Sequence, residues 1–188
     1  IDLSVFRPTE SDFREKHGMD KTDFMILCVA DNWGVKKGSD DVSKLAEKLP
    51  DGFKVVAVGT NSERLSPSVV RLPRTQNQEE LVKIYSAADL FVNPTYEDTF
   101  PTVNIEALAC GTPVLTYLTG GSGEMTDDSC GAGVKTGDFD SLLREVGRIS
   151  AEKPFAAENC VKKASEYSDV GKFEEYISLY KELVGEKA

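Results

Sequence analysis

The sequence is short of the residues on which several kinds of site depend. It has a single histidine, His17, in a predicted N-terminal helix, and we interpret it as structural. Catalysis by a Ser/His/Asp triad therefore has little support. Its four cysteines are scattered, with no C-x-x-C pair and no histidine nearby: Cys28, Cys110, Cys130 and Cys160. This spacing argues against a zinc site and is typical of reduced cysteines in a cytosolic protein.

Two phosphate-binding motifs and a basic surface are also lacking. No G-x-G-x-x-G follows a predicted strand and no G-x-x-x-x-G-K-[ST] occurs, so NAD-binding and P-loop functions have no support. The 188 residues carry a net charge of −10, which argues against nucleic acid or an anionic membrane as a partner. No segment approaches the roughly 18 apolar residues that span a bilayer. The chain opens at Ile1 with no Met or basic leader, so we expect a piece of a longer cytoplasmic protein.

Apolar runs and helical patterns alternate along the chain. The apolar runs predict strands at 24–30, 53–59, 69–72, 90–92, 114–117 and 132–134. The helical patterns lie near 9–17, 40–48, 78–87, 103–110 and 138–149, with two more at 156–167 and 170–183. This alternation predicts one α/β domain over residues 1–188, with a C-terminal helical tail at about 156–184. We expect a doubly wound, Rossmann-like parallel sheet with helices on both faces.

The stretch 97–114 is the most informative part of the sequence. It joins two predicted strands through a loop and a short helix, and the loop lies at the carboxyl end of a strand, where open α/β sheets bind ligands. If Pro101 is the first helical residue, the cap position falls on Phe100, which has no side-chain acceptor. The unpaired N–H groups of such a helix start suit a phosphate. We therefore interpret this loop as part of a nucleotide-sugar site.

Two carboxylates flank this helix start. Asp98 lies in the loop, and Glu106 lies about one and a half turns into the helix. The pair resembles the acid and base of a glycosidase. Beside a helix N-terminus, however, carboxylates are better suited to accept hydrogen bonds from hydroxyls. The alternative is that Asp98 helps to cap the helix and that Glu106 is a solvated residue.

Three further side chains are candidates at the same edge of the sheet. Lys37 follows the first strand and is placed to pair with a diphosphate; the alternative is a solvated Lys36-Lys37 turn. Arg74 ends another strand and is placed over a base or phosphate, or else is a surface arginine. Trp33 is either a core residue or an aromatic at a lid or domain contact, and the sequence leaves this open.

The segment 96–114, Y-E-D-T-F-P-T-V-N-I-E-A-L-A-C-G-T-P-V, resembles the E-x7-E region of the retaining group 1 (family 4) glycosyltransferases. Those enzymes have the two-domain GT-B architecture. Four more family motifs resemble this sequence in order: the linker at 1–8, Lys37-Gly38, the E-E-L-x-x-x-Y-x-x-A-D pattern at 79–89, and the G-G-x-x-E pattern at 120–124. The resemblance thus covers nearly all of the chain.

The resemblance implies the C-terminal, donor-binding domain, whose last helix crosses back to an N-terminal acceptor domain absent from this chain. The substrate would be a nucleoside diphosphate hexose, UDP- or GDP-linked, and the acceptor a glycan or lipid-linked molecule. Transfer would proceed with retention, without a cofactor or a metal ligand set. The implied location is cytoplasmic, or peripheral to the membrane through the missing domain. The fragment alone is expected to bind nucleotide but to be inactive.

The resemblance also implies a role for each matching residue. Lys37 would hold the donor diphosphate, Asp98 would contact the sugar hydroxyls and Glu106 would bind the ribose; these three form the catalytic set. The loop at Arg74 and Thr75 would flank the base. Phosphate would be bound by backbone groups around the helix start, at Thr99, Phe100, Pro101, Thr102 and Val103.

Three features depart from the family pattern. Asp98 stands where the family usually has Glu, and Glu97 competes for that role. The arginine that commonly precedes the lysine is absent, and Asp31 and Asn32 stand there. Pro101 removes one backbone N–H. The missing arginine supports an alternative function, a non-catalytic GT-B-like binding or scaffolding module.

Overall fold

The computed structural model describes residues 1–185, and its centre is a sheet of six parallel strands. The strands are β1 Phe24–Asn32, β2 Phe53–Thr60, β3 Val70–Leu72, β4 Leu90–Asn93, β5 Val114–Leu118 and β6 Gly131–Lys135. Their order is β3-β2-β1-β4-β5-β6, so the chain reverses direction across the sheet between β1 and β4. The predicted doubly wound parallel sheet is confirmed. Ligands bind such sheets at the carboxyl ends of the strands flanking the reversal.

Seven helices surround the sheet in the described part of the chain. They are α1 Phe13–Lys16, α2 Ser39–Lys48, α3 Gln78–Ala87, α4 Thr102–Ala109, α5 Phe139–Glu152, α6 Ala157–Ser165 and α7 Asp169–Leu183. Successive strand residues point to opposite faces. Met25 and Leu27 therefore lie in the core with α1, α3, α4 and α6, while Ile26 and Cys28 lie in the core with α2 and α5. Each face of the sheet is thus covered by an apolar core.

Three local expectations need correction. The first helix covers only Phe13–Lys16, because His17 ends it after one turn. The cap of α4 is Pro101 and not Phe100; proline has no side-chain acceptor either, so the helix start stays without a side-chain cap. Trp33 is a buried core residue, since its backbone N–H donates to Thr60 at the end of β2 (3.0 Å) and its ring packs between the strands and α2.

The last two helices differ in how they pack. Cys160 and Ala164 of α6 are buried, and this helix lies against α4. Helix α7 has no buried residue. Its large apolar side chains, and that of the residue after it, are exposed: Val170, Phe173, Tyr176, Ile177, Leu179, Tyr180, Leu183 and Val184. Within residues 1–185, none of the helices combines the length and apolar character needed to cross a bilayer.

Candidate functional site

The loop between β4 and α4 lies at the reversal point of the sheet and is held on one side by the turn after β1. The N–H of Tyr96 and the hydroxyl of Thr95 both donate to the carbonyl of Lys36, at 2.8 and 3.1 Å. Gly38 closes this turn with φ +73°, and a Cβ there would overlap the carbonyl of Pro94. The turn after β1 that carries Lys36 and Lys37 (the lysine turn, 33–38) is therefore in direct backbone contact with the loop between β4 and α4 (the acidic loop, 94–101).

The other side of the loop rests on the turn after β5. The N–H of Gly121 donates to the carbonyl of Thr99 (2.8 Å). Gly120 has φ +49°, and a Cβ there would overlap the carbonyl of Asp98. The Gly-Gly pair was visible in the sequence only as a family motif. The structure gives it a physical role, because only glycine lets the two backbones approach this closely.

Two lysine–carboxylate pairs join the lysine turn to the loop. Lys37 Nζ lies 2.6 Å from Asp98 Oδ2, and the two side chains are 36% and 17% exposed. Lys36 Nζ lies 2.5 Å from Glu97 Oε2, and those side chains are 74% and 64% exposed. The structure thus places Lys37 beside Asp98, in the sheltered pair, and leaves Glu97 in solvent.

Glu106 lies on α4 in quite different surroundings. Its Oε2 accepts a hydrogen bond from the hydroxyl of Tyr85 (2.9 Å), a buried residue of α3. Burial raises the pKa of the Glu106 carboxyl above its ordinary value of 4.5. The alternative interpretation of Glu106, a solvated helical glutamate, is therefore wrong. Tyr85 was visible in the sequence only as the tyrosine of the family pattern at 79–89, since nothing local marks its hydroxyl as a partner of Glu106.

A cleft of about 650 Å³ opens beside Glu106 at the carboxyl ends of β1 and β2. Its lining includes five of the predicted site residues: Arg74, Thr75, Thr102, Val103 and Glu106. Arg74 pairs with Asp31 at the end of β1 (3.0 Å), and both side chains are largely exposed. The other predicted residues lie in the adjoining loop or turn and not in the cleft lining: Lys37, Asp98, Thr99, Phe100 and Pro101. Loop and cleft meet where α4 begins.

The start of α4 carries hydrogen-bond donors without acceptors. Within the described part of the chain, the N–H groups of Thr102 and Val103 have no acceptor. The side-chain nitrogen of Asn104, a fully buried residue, is also without a partner, while its oxygen accepts from Asn93 (2.8 Å). Asn104 was missed in the sequence because it looks like an ordinary helix position. Such donors at a helix N-terminus suit an anion.

His17 lies away from this site. It stacks on Phe13 (ring centroids 4.0 Å apart) and lines a separate cavity of about 320 Å³ between α1 and α3. That cavity shares only Thr75 and Asn77 with the cleft beside Glu106. The histidine is therefore not placed to act on a ligand in that cleft.

Comparison with known proteins decides the family. Residues 9–167 match the family model described as glycosyl transferases group 1. The chain belongs to this family. A curated relative, the D-inositol 3-phosphate glycosyltransferase of Mycolicibacterium smegmatis, is 32% identical over 170 residues, which are 78% of this chain and 38% of the relative. The chain thus spans well under half the length of that protein. The resemblance drawn from the sequence motifs is confirmed at the level of the family.

Solved structures of this family's architecture share the fold. Sucrose-phosphate synthase from Thermosynechococcus elongatus superposes with a TM-score of 0.84 at 24% identity, over all of this chain and 52% of that one. Anabaena Alr3699/HepE, solved in complex with UDP-glucose, superposes with a TM-score of 0.81 at 18% identity, over 96% of this chain and 55% of that one. The group 1 chain therefore has the α/β, Rossmann-like fold of part of a GT-B glycosyltransferase.

Proposed function

We propose that this chain is the donor-binding domain of a retaining glycosyltransferase that transfers a hexose from a nucleoside diphosphate sugar, UDP- or GDP-linked, to a glycan or lipid-linked acceptor. The observation that carries the proposal is the meeting of three features at the start of α4. These are unpaired N–H donors, the Lys37–Asp98 pair and the cleft beside Glu106. In this proposal the N–H donors bind the diphosphate, the Lys37–Asp98 pair receives the sugar, and the cleft holds the nucleoside.

The diphosphate belongs at the start of α4. The N–H groups of Thr102 and Val103 and the positive end of the helix dipole favour an anion there. Lys37 is the nearest sheltered cation of the adjoining turn. On donor binding it exchanges Asp98 for a phosphate oxygen, a charge-assisted hydrogen bond in either case. In this proposal the backbone of Thr99, Phe100 and Pro101, in the loop before α4, lines the diphosphate site.

The nucleoside belongs in the cleft. Glu106 keeps one carboxylate oxygen on Tyr85, and the other is available to accept from ribose hydroxyls. Arg74 and Thr75, on the loop after β3, flank the base. The cleft volume of about 650 Å³ falls within the range of small-molecule sites.

Asp98, and not Glu97, is the acidic residue that receives the sugar hydroxyls in this proposal. Its side chain is the more sheltered of the two, and its backbone is locked against Gly120. A carboxylate fixed in this way loses less entropy on binding than one on an exposed side chain. When Lys37 turns to the diphosphate, Oδ2 of Asp98 is freed for the sugar, while Oδ1 still accepts from the N–H of Phe100 (3.2 Å).

Catalysis in this proposal is positioning together with stabilisation of the leaving diphosphate. The α4 donors and Lys37 are in place before the glycosidic bond breaks, so the developing negative charge requires little reorganisation. These groups supply the chemistry, and the proposal assigns no cofactor and no metal ligand. The donor is a substrate.

A second domain completes the site in this proposal. The chain covers 52% of the sucrose-phosphate synthase structure and 55% of the Alr3699/HepE structure, and the apolar side chains of α7 are exposed. An N-terminal acceptor domain of the full-length protein would cover those side chains and bring the acceptor to the donor. The location we propose is cytoplasmic, or peripheral to the membrane through that domain.

Thermal unfolding with UDP, GDP, ADP, CMP and NAD tests the proposal. Ligand at about 100 times its dissociation constant adds roughly 2.7 kcal/mol, a shift of about 5–10 °C for a domain of this size. We expect a shift with one nucleoside diphosphate, lost in Glu106→Ala but kept in Glu158→Ala, which changes an exposed glutamate of α6. A shift that survives Glu106→Ala would contradict the assignment of the cleft.

One observation favours the alternative, a non-catalytic module with the same fold. Where the family commonly has an arginine, this chain has Asp31 and Asn32; the side-chain amide of Asn61 donates to Asn32 (2.7 Å), and the guanidinium of Arg74, the cation beside Asp31, is paired with that carboxylate (3.0 Å). This alternative predicts no nucleotide shift in this chain or in the full-length protein. A donor site that needs the second domain predicts instead a shift in the full-length protein but not in this chain, so the same panel on both proteins separates the two possibilities.

A further inference from the structure

The loop that carries Asp98 has an anchor that no proposed donor contact uses. Asp41, in the first turn of α2, is a carboxylate with only 3% of its surface exposed. Its Oδ2 accepts hydrogen bonds from the hydroxyls of Tyr96 and Tyr117, each at 2.7 Å. Lys44 Nζ lies 3.5 Å from Oδ1. The carboxylate is thus fully engaged inside the protein.

The two tyrosines make the same bond from different places. Tyr117 is fully buried on β5, within the sheet. Tyr96 lies in the loop, two residues before Asp98, with 39% of its surface exposed. Their rings meet edge to face, with centroids 5.5 Å apart. Of the two, the Tyr96 bond is the one that ties the loop after β4 to α2.

We propose that Asp41, acting through Tyr96, is a positioning residue that sets Asp98 for the sugar part of the donor. This inference rests on the proposed function. Tyr96 makes three hydrogen bonds: its hydroxyl donates to Asp41, its N–H donates to the carbonyl of Lys36 (2.8 Å), and its carbonyl accepts from the hydroxyl of Thr119 (3.1 Å). The bond to Asp41 is the one made by its side chain. The same helix α2 begins directly after Lys37 and Gly38. One rigid element therefore sets the place of both the diphosphate cation and the sugar acid.

The nucleoside cleft does not depend on this anchor. Glu106 is held by Tyr85 from α3, on the opposite face of the sheet from α2. Loss of the Tyr96 hydroxyl should therefore loosen Asp98 and leave the cleft unchanged. The hydrogen bond to Asp41 raises the pKa of Tyr96 to about 12, so the hydroxyl remains a donor at physiological pH.

The test compares Tyr96→Phe with Tyr117→Phe. Each deletes one hydroxyl bond of 2.7 Å to the same carboxylate oxygen and keeps the aromatic ring, but only the first lies in the loop. Titration calorimetry on the chain would measure UDP and UDP-glucose, or the diphosphate that the thermal panel selects and its hexose conjugate. We expect Tyr96→Phe to lower affinity for the sugar nucleotide about tenfold relative to the diphosphate. Tyr117→Phe should leave that ratio unchanged.

Each outcome decides the inference. Thermal unfolding first establishes that both variants fold. A wild-type ratio in Tyr96→Phe, or an equal fall in both variants, would overturn the positioning role while nucleotide binding by the wild type still supports the proposed function. Absence of nucleotide binding by the wild type, both in this chain and in the full-length protein, would overturn the proposed function and this inference with it.

Discussion

Asp98 and Glu106 stand eight residues apart in one motif, yet the fold places them in opposite surroundings. Asp98 faces a lysine in a loop that is held by backbone contacts on two sides. Glu106 faces a tyrosine hydroxyl in the wall of a cleft, where burial raises the pKa of its carboxyl. The two acids of one motif therefore differ in their partners. The charge of Asp98 is balanced by Lys37, whereas Glu106 accepts a hydrogen bond from an uncharged hydroxyl.

The largest effect on stability should come from disturbing the backbone contact between Gly120 and Asp98. Gly120→Ala puts a Cβ into the carbonyl of Asp98 at a φ that L side chains rarely adopt. We expect a loss of about 2–4 kcal/mol in the free energy of unfolding, measured by urea denaturation. Gly147→Ala is the control, because nothing lies near its Cβ and it sits inside α5. Equal stability of the two variants would show that the loop does not need this contact.

The charge on the Asp98 side should matter next. Lys37→Ala removes the sheltered cation, and we expect nucleoside diphosphate affinity to fall about tenfold or more in titration calorimetry. Lys36→Ala is the neighbouring control, since exposed ion pairs contribute about 0–1 kcal/mol and this lysine is 74% exposed. A larger loss for Lys36 than for Lys37 would reverse the assignment of the two pairs.

The Glu106 side should respond to loss of its acceptor. Glu106→Ala leaves the buried Tyr85 hydroxyl without a partner, and we expect it to cost about 1–3 kcal/mol of stability. Glu106→Gln keeps an acceptor oxygen and should cost less. Denaturant midpoints of the two variants check this, and a Gln variant as unstable as the Ala variant would mean that the hydrogen bond is not what stabilises this wall.

The smallest effect is a pH dependence confined to Glu106. Because its folded-state pKa is raised, the folded protein binds this proton more tightly than the unfolded chain does, and the resulting stabilisation is lost as pH rises through that pKa. The melting temperature of the wild type relative to Glu106→Gln should therefore rise as pH falls from about 7 towards the ordinary value of 4.5. Carboxylates with lowered pKa values, such as Asp12 and Asp138, affect both proteins alike. A flat difference in scanning calorimetry would argue against a raised pKa for the partly buried Glu106 carboxyl.

Local signals predicted much of the fold. Helix α3 begins and ends where expected, since Asn77 caps it and accepts from the N–H of Glu80 (2.9 Å). The buried strands followed from continuous apolar runs. Trp33 was undecided because its neighbours in sequence are polar or glycine, and its burial depends on β2. The cap of α4 lies one residue later than expected, because Pro101 has an extended ψ of 92° and the helix begins at Thr102.

The site was predictable to the extent that strand order brings its parts together. Arg74 and Glu106 line one cleft because Arg74 follows the carboxyl end of β3 and Glu106 lies on α4, which follows the carboxyl end of β4. The partners of those residues were not predictable. Tyr85 meets Glu106 across two helices, and Asp41 meets Tyr117 across 76 residues. Such contacts leave no periodic signal in the sequence, because they depend on how the helices pack on the sheet.

The uncapped start of α4 has a consequence for the choice of buffer. N–H groups that bind a diphosphate also bind inorganic phosphate or sulfate. Ligand stabilisation depends on concentration relative to the dissociation constant, so a phosphate buffer at high concentration would compete for the helix start and raise the melting temperature of the ligand-free chain. Nucleotide shifts would then look small for a reason unrelated to affinity. Chloride salts with a zwitterionic buffer avoid that competitor.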